Sequence, residues 1–379
     1  MRPTVLAYYF PDWHADPRNA AWFGAGWTEW SLLQAARPRF PGHRQPRVPA
    51  LGYRDEADPA CAFADIALAA AHGVDGFLFD YYWYDDGPYL EGALSNGFLR
   101  AENRSQVKFA LMWANHQLVD IFPDRRTGVP GLLKNGALDR TAFEEMARHV
   151  ISRYFSEPNY LTMDGRPWFT VYDLANFIDG LGGVAAARDA LDWFRAETVA
   201  AGFPGLHLDA VLWSSAVLPT SSESPLVVDW VRELGFDSGT SYVWVHHHDV
   251  GGSPFPEAPI EAMRESAFAE YERYADLLDV DFHPNVTVGW DPSPRTDQSH
   301  PYAAGSYPWT SVWDPGPAAF AEGLRQARDF VVRRKPRHPI ITVNAWNEWT
   351  EGSYLLPDTT HGTAFLEVIR DTLGIDGTR

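Results

Sequence analysis

Along most of the chain, short β-branched or aromatic runs bounded by turn residues alternate with longer stretches of helical period. The runs predict strands at residues 5–10, 76–83, 108–115, 167–173, 206–213, 238–244 and 285–291, with an eighth opening at Ile340. Apolar positions of 3.6-residue period predict helices at 59–72, 139–154, 184–201, 224–234, 259–278, 317–334 and 360–373. Gly73 and Gly202 supply stop signals, and Asp139 supplies a plausible N-cap. Only the link between the second and third strands lacks a clear helical pattern. Alternating strands and helices at this spacing mean a parallel sheet with right-handed crossovers. Eight units predict an α/β fold of the (β/α)8 TIM-barrel type, with an open doubly wound sheet as the alternative. An open sheet would usually carry a glycine-rich phosphate fingerprint after an early strand, and none is present. With no repeat, low-complexity tract or linker, residues 1–379 are expected to form one domain.

Residues 11–58 break the alternation. They are rich in Pro, Gly, Trp and Arg and show little periodicity. A connection of this length is either functional or disordered. Its aromatic content predicts an ordered β1–α1 insertion over the site.

Composition then narrows the function. The net charge of −19, from 31 basic and 50 acidic residues, argues against a phosphate-backbone partner or an anionic membrane surface. No apolar run reaches the ~18 residues of a membrane span. The first residues lack the apolar core of a signal peptide, so a cytoplasmic location is expected, or a periplasmic or secreted one if a leader is removed. The lone Cys61 sits in an alanine-rich helical stretch and reads as a small buried hydrophobe. Aromatic residues make up 14% of the chain, with 16 Trp and 16 Tyr, many beside polar residues where predicted strands end. Aromatic faces of this kind suit the C–H faces of sugars.

In a barrel of this type the active site lies at the C-terminal ends of the strands. Those ends carry Tyr8 and Tyr9, then Asp80 and Tyr82, then Trp113, Asn115 and His116, then Tyr172 and Trp213. They continue with Tyr242, His246 and His247, with Trp290 and Asp291, and with Asn347, Glu348, Trp349 and Glu351. The insertion adds Trp27 and Glu29. Aromatics, amides and carboxylates converging in this way predict a carbohydrate substrate. Glycoside cleavage needs a proton for the leaving oxygen and a carboxylate on the anomeric side, and Glu348 and Glu351 are the leading catalytic candidates. Consecutive strand residues face opposite sides, so His246, His247 and His248 cannot together grip one metal. No metal and no cofactor are expected. Arg295 is positioned to pair with Asp291 or to meet an acidic sugar.

These residues also match a known family. The matching stretches are Ala7-Tyr8-Tyr9-Phe10-Pro11, Gly26-Trp27-Thr28-Glu29-Trp30, Phe40-Pro41-Gly42-His43-Arg44-Gln45-Pro46, Gly73-Val74-Asp75-Gly76-Phe77, Trp113-Ala114-Asn115, Gly289-Trp290-Asp291 with Pro294-Arg295, and Asn347-Glu348-Trp349-Thr350-Glu351-Gly352. The chain resembles the glycoside hydrolase family 99-like proteins, including the WbsX-like proteins of bacterial polysaccharide gene clusters. The resemblance implies a (β/α)8 barrel. It also implies that Glu348 is the base that deprotonates the substrate 2-hydroxyl, which attacks the anomeric carbon to give a 1,2-anhydro sugar. Glu351 is then the general acid and afterwards the base, for net retention. Many WbsX-like sequences continue Trp-Ala-Asn with Glu-Asn-Trp, whereas this chain has His116-Gln117-Leu118, which implies a different sugar. Two readings compete with a glycosidase: a glycosyltransferase of surface-polysaccharide assembly, and a non-catalytic carbohydrate-binding barrel.

Overall fold

The computed structural model describes residues 2–126, 130–215, 217 and 227–375. Nine parallel segments form the central sheet: β1 (Thr4–Tyr9), β2 (Gly76–Tyr84), β3 (Lys108–Trp113), β4 (Arg166–Val171), β5 (His207–Val211), β6 (Ser238–Thr240), β7 (Asp281–His283), β8 (Asn285–Thr287) and β9 (Ile340–Asn344). Neighbours pair in chain order from β1 to β7, and β9 lies between β8 and β1. The two ends of the hydrogen-bonded path, β7 and β8, are joined by Pro284. The result is a TIM barrel whose seventh strand is broken in two. Its first half pairs with β6, from Ser238 opposite Asp281, and its second half with β9, from Asn285 opposite Thr342.

Every residue of β2, β5 and β9 is buried, because a parallel barrel is covered on both faces. The outer layer contains α3 (Pro59–His72), α4 (Arg140–Val150), α5 (Leu174–Leu181), α6 (Val184–Ala200), α7 (Val227–Leu234), α8 (Ile260–Leu277), α9 (Pro317–Arg334) and α10 (Ala364–Leu373). Two short helices, α1 (Pro17–Phe23) and α2 (Trp30–Ala35), lie within the insertion. Carboxylate caps start several of them: the Asp58, Asp139 and Asp173 side chains accept from backbone N–H groups at 2.9 Å. The expected helix at 224–234 is seen from Val227, and residues 224–226 lie outside those described. Between β2 and β3 the chain forms short π and 3-10 turns over Ala93–Gly97, Phe98–Arg100 and Arg104–Gln106. Among the described residues no helix is long and apolar enough to cross a membrane.

The insertion is ordered. Trp13 and Trp30 pack with ring centroids 4.2 Å apart, and the Trp30 indole N–H donates to the Arg54 carbonyl at 2.8 Å. It lies against the mouth of the barrel, and Glu29 at the start of α2 is completely buried.

The lower barrel interior is polar. Ser238 Oγ lies 2.7 Å from Asp209 Oδ1 and 2.9 Å from His207 Nε2. Thr170 donates to Asp209 at 3.1 Å, and the Trp168 indole donates to Thr170 at 2.7 Å. Burial pushes the Asp209 carboxyl up to about 7, and burial pushes His207 down to about 4.

Candidate active site

The stretch after β9 is built to carry two carboxylates. Asn347 extends the β9–β1 pairing beyond the strand end: its Nδ2 donates to the Phe10 carbonyl at 2.7 Å and its Oδ1 accepts from the Phe10 N–H at 2.8 Å. A single 3-10 turn, Trp349–Glu351, follows. Side chains three residues apart eclipse in such a turn, so the Glu348/Glu351 spacing delivers both carboxylates to one cleft. Gly352 closes the turn at φ +68°, and a Cβ there would fall 2.6 Å from Asp291 Cβ. Only glycine fits both constraints.

The cleft has a volume of about 910 Å³, counted to its open mouth. Arg295, from the turn after β8, is its electrostatic centre. Arg295 Nη1 donates to Glu351 Oε1 at 2.5 Å, and Nη2 donates to Glu29 Oε1 at 3.0 Å and to Glu348 Oε2 at 3.4 Å. Tyr307 adds a hydroxyl that donates to Glu351 Oε1 at 2.8 Å, and Thr350 donates to Glu29. Asp12 and Asp80 complete a set of five buried carboxyls around one guanidinium. That excess of acid must be relieved by protons. Burial raises Asp12, Glu29, Asp80 and Glu348, with neighbouring Glu29 adding to the shift at Asp12 and neighbouring Glu351 to that at Glu348, while Arg295 opposes it at Glu29 and Glu348.

The Tyr242 hydroxyl bridges two of these groups, 2.9 Å from Asp80 Oδ2 and 3.2 Å from Glu348 Oε1. A phenol has one proton to give. Asp80 Oδ1 is buried with no hydrogen-bond partner, whereas Glu348 touches Arg295. With no cation against it, Asp80 is the end better suited to hold a proton, and when protonated it would donate to Tyr242, leaving that hydroxyl to donate to Glu348. Burial holds His116 and His246 low, His246 at about 3, so both present neutral imidazoles.

Of the residues singled out from the sequence, Glu29, Asp80, Tyr82, His116, Tyr172, Tyr242, His246, Trp290, Glu348 and Glu351 line the cleft. The others are placed elsewhere. Tyr8 is in the barrel core, with its hydroxyl donating to the Ser241 carbonyl, and Tyr9 stacks on Phe79. Trp113 packs behind the sheet on Phe143 and Phe177. Asn115 holds the Asp173 backbone, and Asn347 that of Phe10. Trp213 packs on Tyr172 and His246, and Trp27 packs on Phe23 and Phe122. His247 bonds Ser241, and Trp349 stacks on Tyr354 at 3.9 Å. Asp291 is turned away from Arg295. It accepts from Gln45 at 2.7 Å and lies 2.9 Å from His43 Nε2, so His43 is a structural partner. Burial works to raise Asp291, but the hydrogen bond and charge of His43 and the charge of Arg47 hold it at about 2.

Sequence reasoning passed over Asp12, Tyr307 and an aliphatic lining from Leu90, Leu118, Val119 and Ile121. Asp12 and Tyr307 lie in aperiodic segments, where the one signal was proximity to Trp and Pro. The Asp-x-Asp triplet Asp279-Val280-Asp281 was also passed over. It leads into β7 at the opposite end of the barrel, where Asp279 pairs with exposed Arg232 and Asp281 accepts from the Arg337 N–H.

The fold and the site define a TIM barrel with a carboxylate-lined mouth. The chain belongs to the WbsX family: the model described as "Glycosyltransferase WbsX" matches residues 5–369. An uncharacterized WxcX protein of Xanthomonas campestris pv. campestris (strain B100) is 29% identical over 374 residues, 98% of this chain and 49% of the relative. The chain thus spans about half the length of the curated relatives it matches. Among solved structures, a GH99 endo-alpha-mannosidase from Bacteroides thetaiotaomicron aligns with a TM-score of 0.56 at 14% identity, covering 98% of this chain and 96% of that one. A glycoside hydrolase-like protein aligns with a TM-score of 0.64 at 13% identity, covering 98% and 94%. At these identities the likeness is one of fold.

Proposed function

We propose that the protein is a glycoside hydrolase that cleaves an oligosaccharide or polysaccharide with net retention, using the substrate's own 2-hydroxyl as nucleophile. The observation that carries this reading is the pairing of Glu348 and Glu351 on one guanidinium inside an acid-rich cleft. Glu348, which receives the Tyr242 hydrogen bond, takes the proton from the 2-hydroxyl. The 2-oxygen attacks the anomeric carbon while Glu351 gives its proton to the departing glycosidic oxygen. A 1,2-anhydro sugar results. Water then opens it at the anomeric carbon, Glu351 taking the water proton and Glu348 returning a proton to the 2-oxygen. Two inversions leave the anomeric configuration retained.

A transferase using a nucleotide sugar fits this cleft less well. A diphosphate would enter among five carboxyls, and the guanidinium at the cleft's centre is already held by three of them. The test is to incubate the protein with aryl glycosides, bacterial polysaccharides and UDP- and GDP-sugars. Release of sugar with retained anomeric configuration, followed by NMR, is expected. Turnover of a nucleotide sugar with no glycoside cleaved sinks the hydrolase reading.

A further inference from the structure

The cleft lining has two chemistries. The loops after β1, β8 and β9 bring Asp12, Glu29, Glu348, Glu351 and Arg295, whereas the loops after β2 and β3 bring the aliphatic Leu90, Leu118, Val119 and Ile121 beside Tyr89, His116 and Gln117. The four aliphatic side chains offer no hydrogen-bond donor or acceptor. Of the tryptophans expected to face sugar, Trp290 lines the cleft, whereas Trp27, Trp113, Trp213 and Trp349 are packed elsewhere.

The aliphatic side is held in place. Leu118–Val119 pairs with Leu132–Lys134 in a short antiparallel ribbon. Farther along the same loop, the Asp124 N–H donates to the Arg295 carbonyl at 2.8 Å, and the Trp309 indole donates to Asp124 at 3.0 Å. Phe122 joins the two regions, with the Arg295 guanidinium 5.5 Å from its ring centre. Leu90 carries a second signature. Its backbone is left-handed at φ +56°, a conformation unfavourable for leucine, and its N–H donates to Asp16 at 3.2 Å. Such backbone strain concentrates at ligand sites.

A hydroxyl packed against these four side chains finds no partner in them, and an unpaired buried hydroxyl is disfavoured. We propose that the substrate carries a methyl group at this edge, as a 6-deoxyhexose does in place of a hydroxymethyl. This rests on the carbohydrate reading of the cleft and deepens it to a substrate class. An acetylated or O-methylated hexose would present the same methyl chemistry from another source.

The test compares configuration-matched pairs of aryl glycosides, 6-deoxyhexoside against parent hexoside, with O-acetyl and O-methyl hexosides as further arms. A preference in kcat/KM of roughly 10–100-fold for a methyl-bearing member is expected, the scale on which a hydrophobic pocket discriminates. The arm that is preferred identifies the source of the methyl. Leu118→Asn and Val119→Thr should narrow the preference mainly through KM for the methyl-bearing substrate. Calorimetry with the matched free sugars gives a second readout that needs no turnover. A binding preference without hydrolysis supports the methyl site while counting against the hydrolase reading. Cleavage with a ratio of one or below overturns the methyl site and leaves the hydrolase reading standing. No saturable binding by any methyl-bearing member overturns it as well.

Discussion

Glu351 Oε1 lies 2.5 Å from Arg295 Nη1, so the residue assigned the acid–base role is held by the only cation in contact with Glu348 among the described residues. Replacing Arg295 by Met leaves buried carboxylates without their counter-charge. A loss of about 3–5 kcal/mol in unfolding free energy is expected. The loss should grow as pH rises, because the carboxyls must then ionise without a cation. Arg295→Lys should recover part of the stability and less of the activity, since ammonium cannot reproduce the forked contacts. Urea titrations at pH 5 and pH 8 measure this; equal losses at both pH values would contradict it.

Glu348→Gln and Glu351→Gln should each lower kcat by about 10²–10⁴-fold, the usual worth of a general acid or base. The two should separate with leaving group. A dinitrophenyl glycoside departs without protonation, so Glu351→Gln should regain most of its first step and Glu348→Gln should not. A 2-deoxy substrate should not be turned over by the unmodified protein. Brønsted plots of the two variants with equal slopes would remove the division of roles.

Asp80 is expected to act as a neutral acid. Asp80→Asn copies that state and should keep most of the activity. Tyr242→Phe removes the hydroxyl 3.2 Å from Glu348 and should raise the Glu348 carboxyl further. The ascending limb of kcat/KM against pH then moves to higher pH. If Asp80→Asn is as damaging as Glu348→Gln, Asp80 works as an anion and the relay is wrong.

Asp209 gives a pH test far from the chemistry. Its folded carboxyl is raised to about 7, so its contribution to stability is complete below the ordinary carboxylate value and is lost as pH rises through about 7. Asp209→Asn mimics the protonated form, with the amide donating to Ser238 and its oxygen accepting from Thr170. It should be the more stable protein at pH 8, by up to about 4 kcal/mol, with the difference vanishing near pH 4. Thermal melts across that range decide it, and an Asp209→Asn variant less stable at pH 8 would refute it.

The barrel was legible where strands are long and fully buried. The stretch predicted at 76–83 is Gly76–Tyr84, and the one predicted at 5–10 is Thr4–Tyr9. It was less legible where pairing is local and short. The strand expected at 238–244 ends at Thr240 and turns into a 3-10 segment at Trp244–His247. The strand expected at 285–291 is seen only as Asn285–Thr287, and the half-strand Asp281–His283 before it was not anticipated, because Pro284, with no N–H for the ladder, interrupts the pattern there. In the cleft, period-2 alternation explains why Asp80 and Tyr82 face the same space while Tyr81 does not line it. Asp12, Arg295 and Tyr307 come from aperiodic loops, where their convergence depends on three-dimensional closure. Trp290 lines the cleft, but Trp27, Trp113, Trp213 and Trp349 pack on other rings, because large rings serve the core as readily as a ligand.

The break at Pro284 makes closure of the barrel depend on chain order. Eight parallel ladders close the ring, but in its seventh strand two half-segments, each three residues long, lean on different neighbours and are joined only through Pro284. A circular permutant opened at 284, with the present ends joined, would keep every ladder and lose only that tie. The cylinder could then relax into a curved open sheet with two free margins. Bare margins invite pairing with another copy. Moving the chain ends to this one place is thus a route from a closed ring to an edge-to-edge assembly.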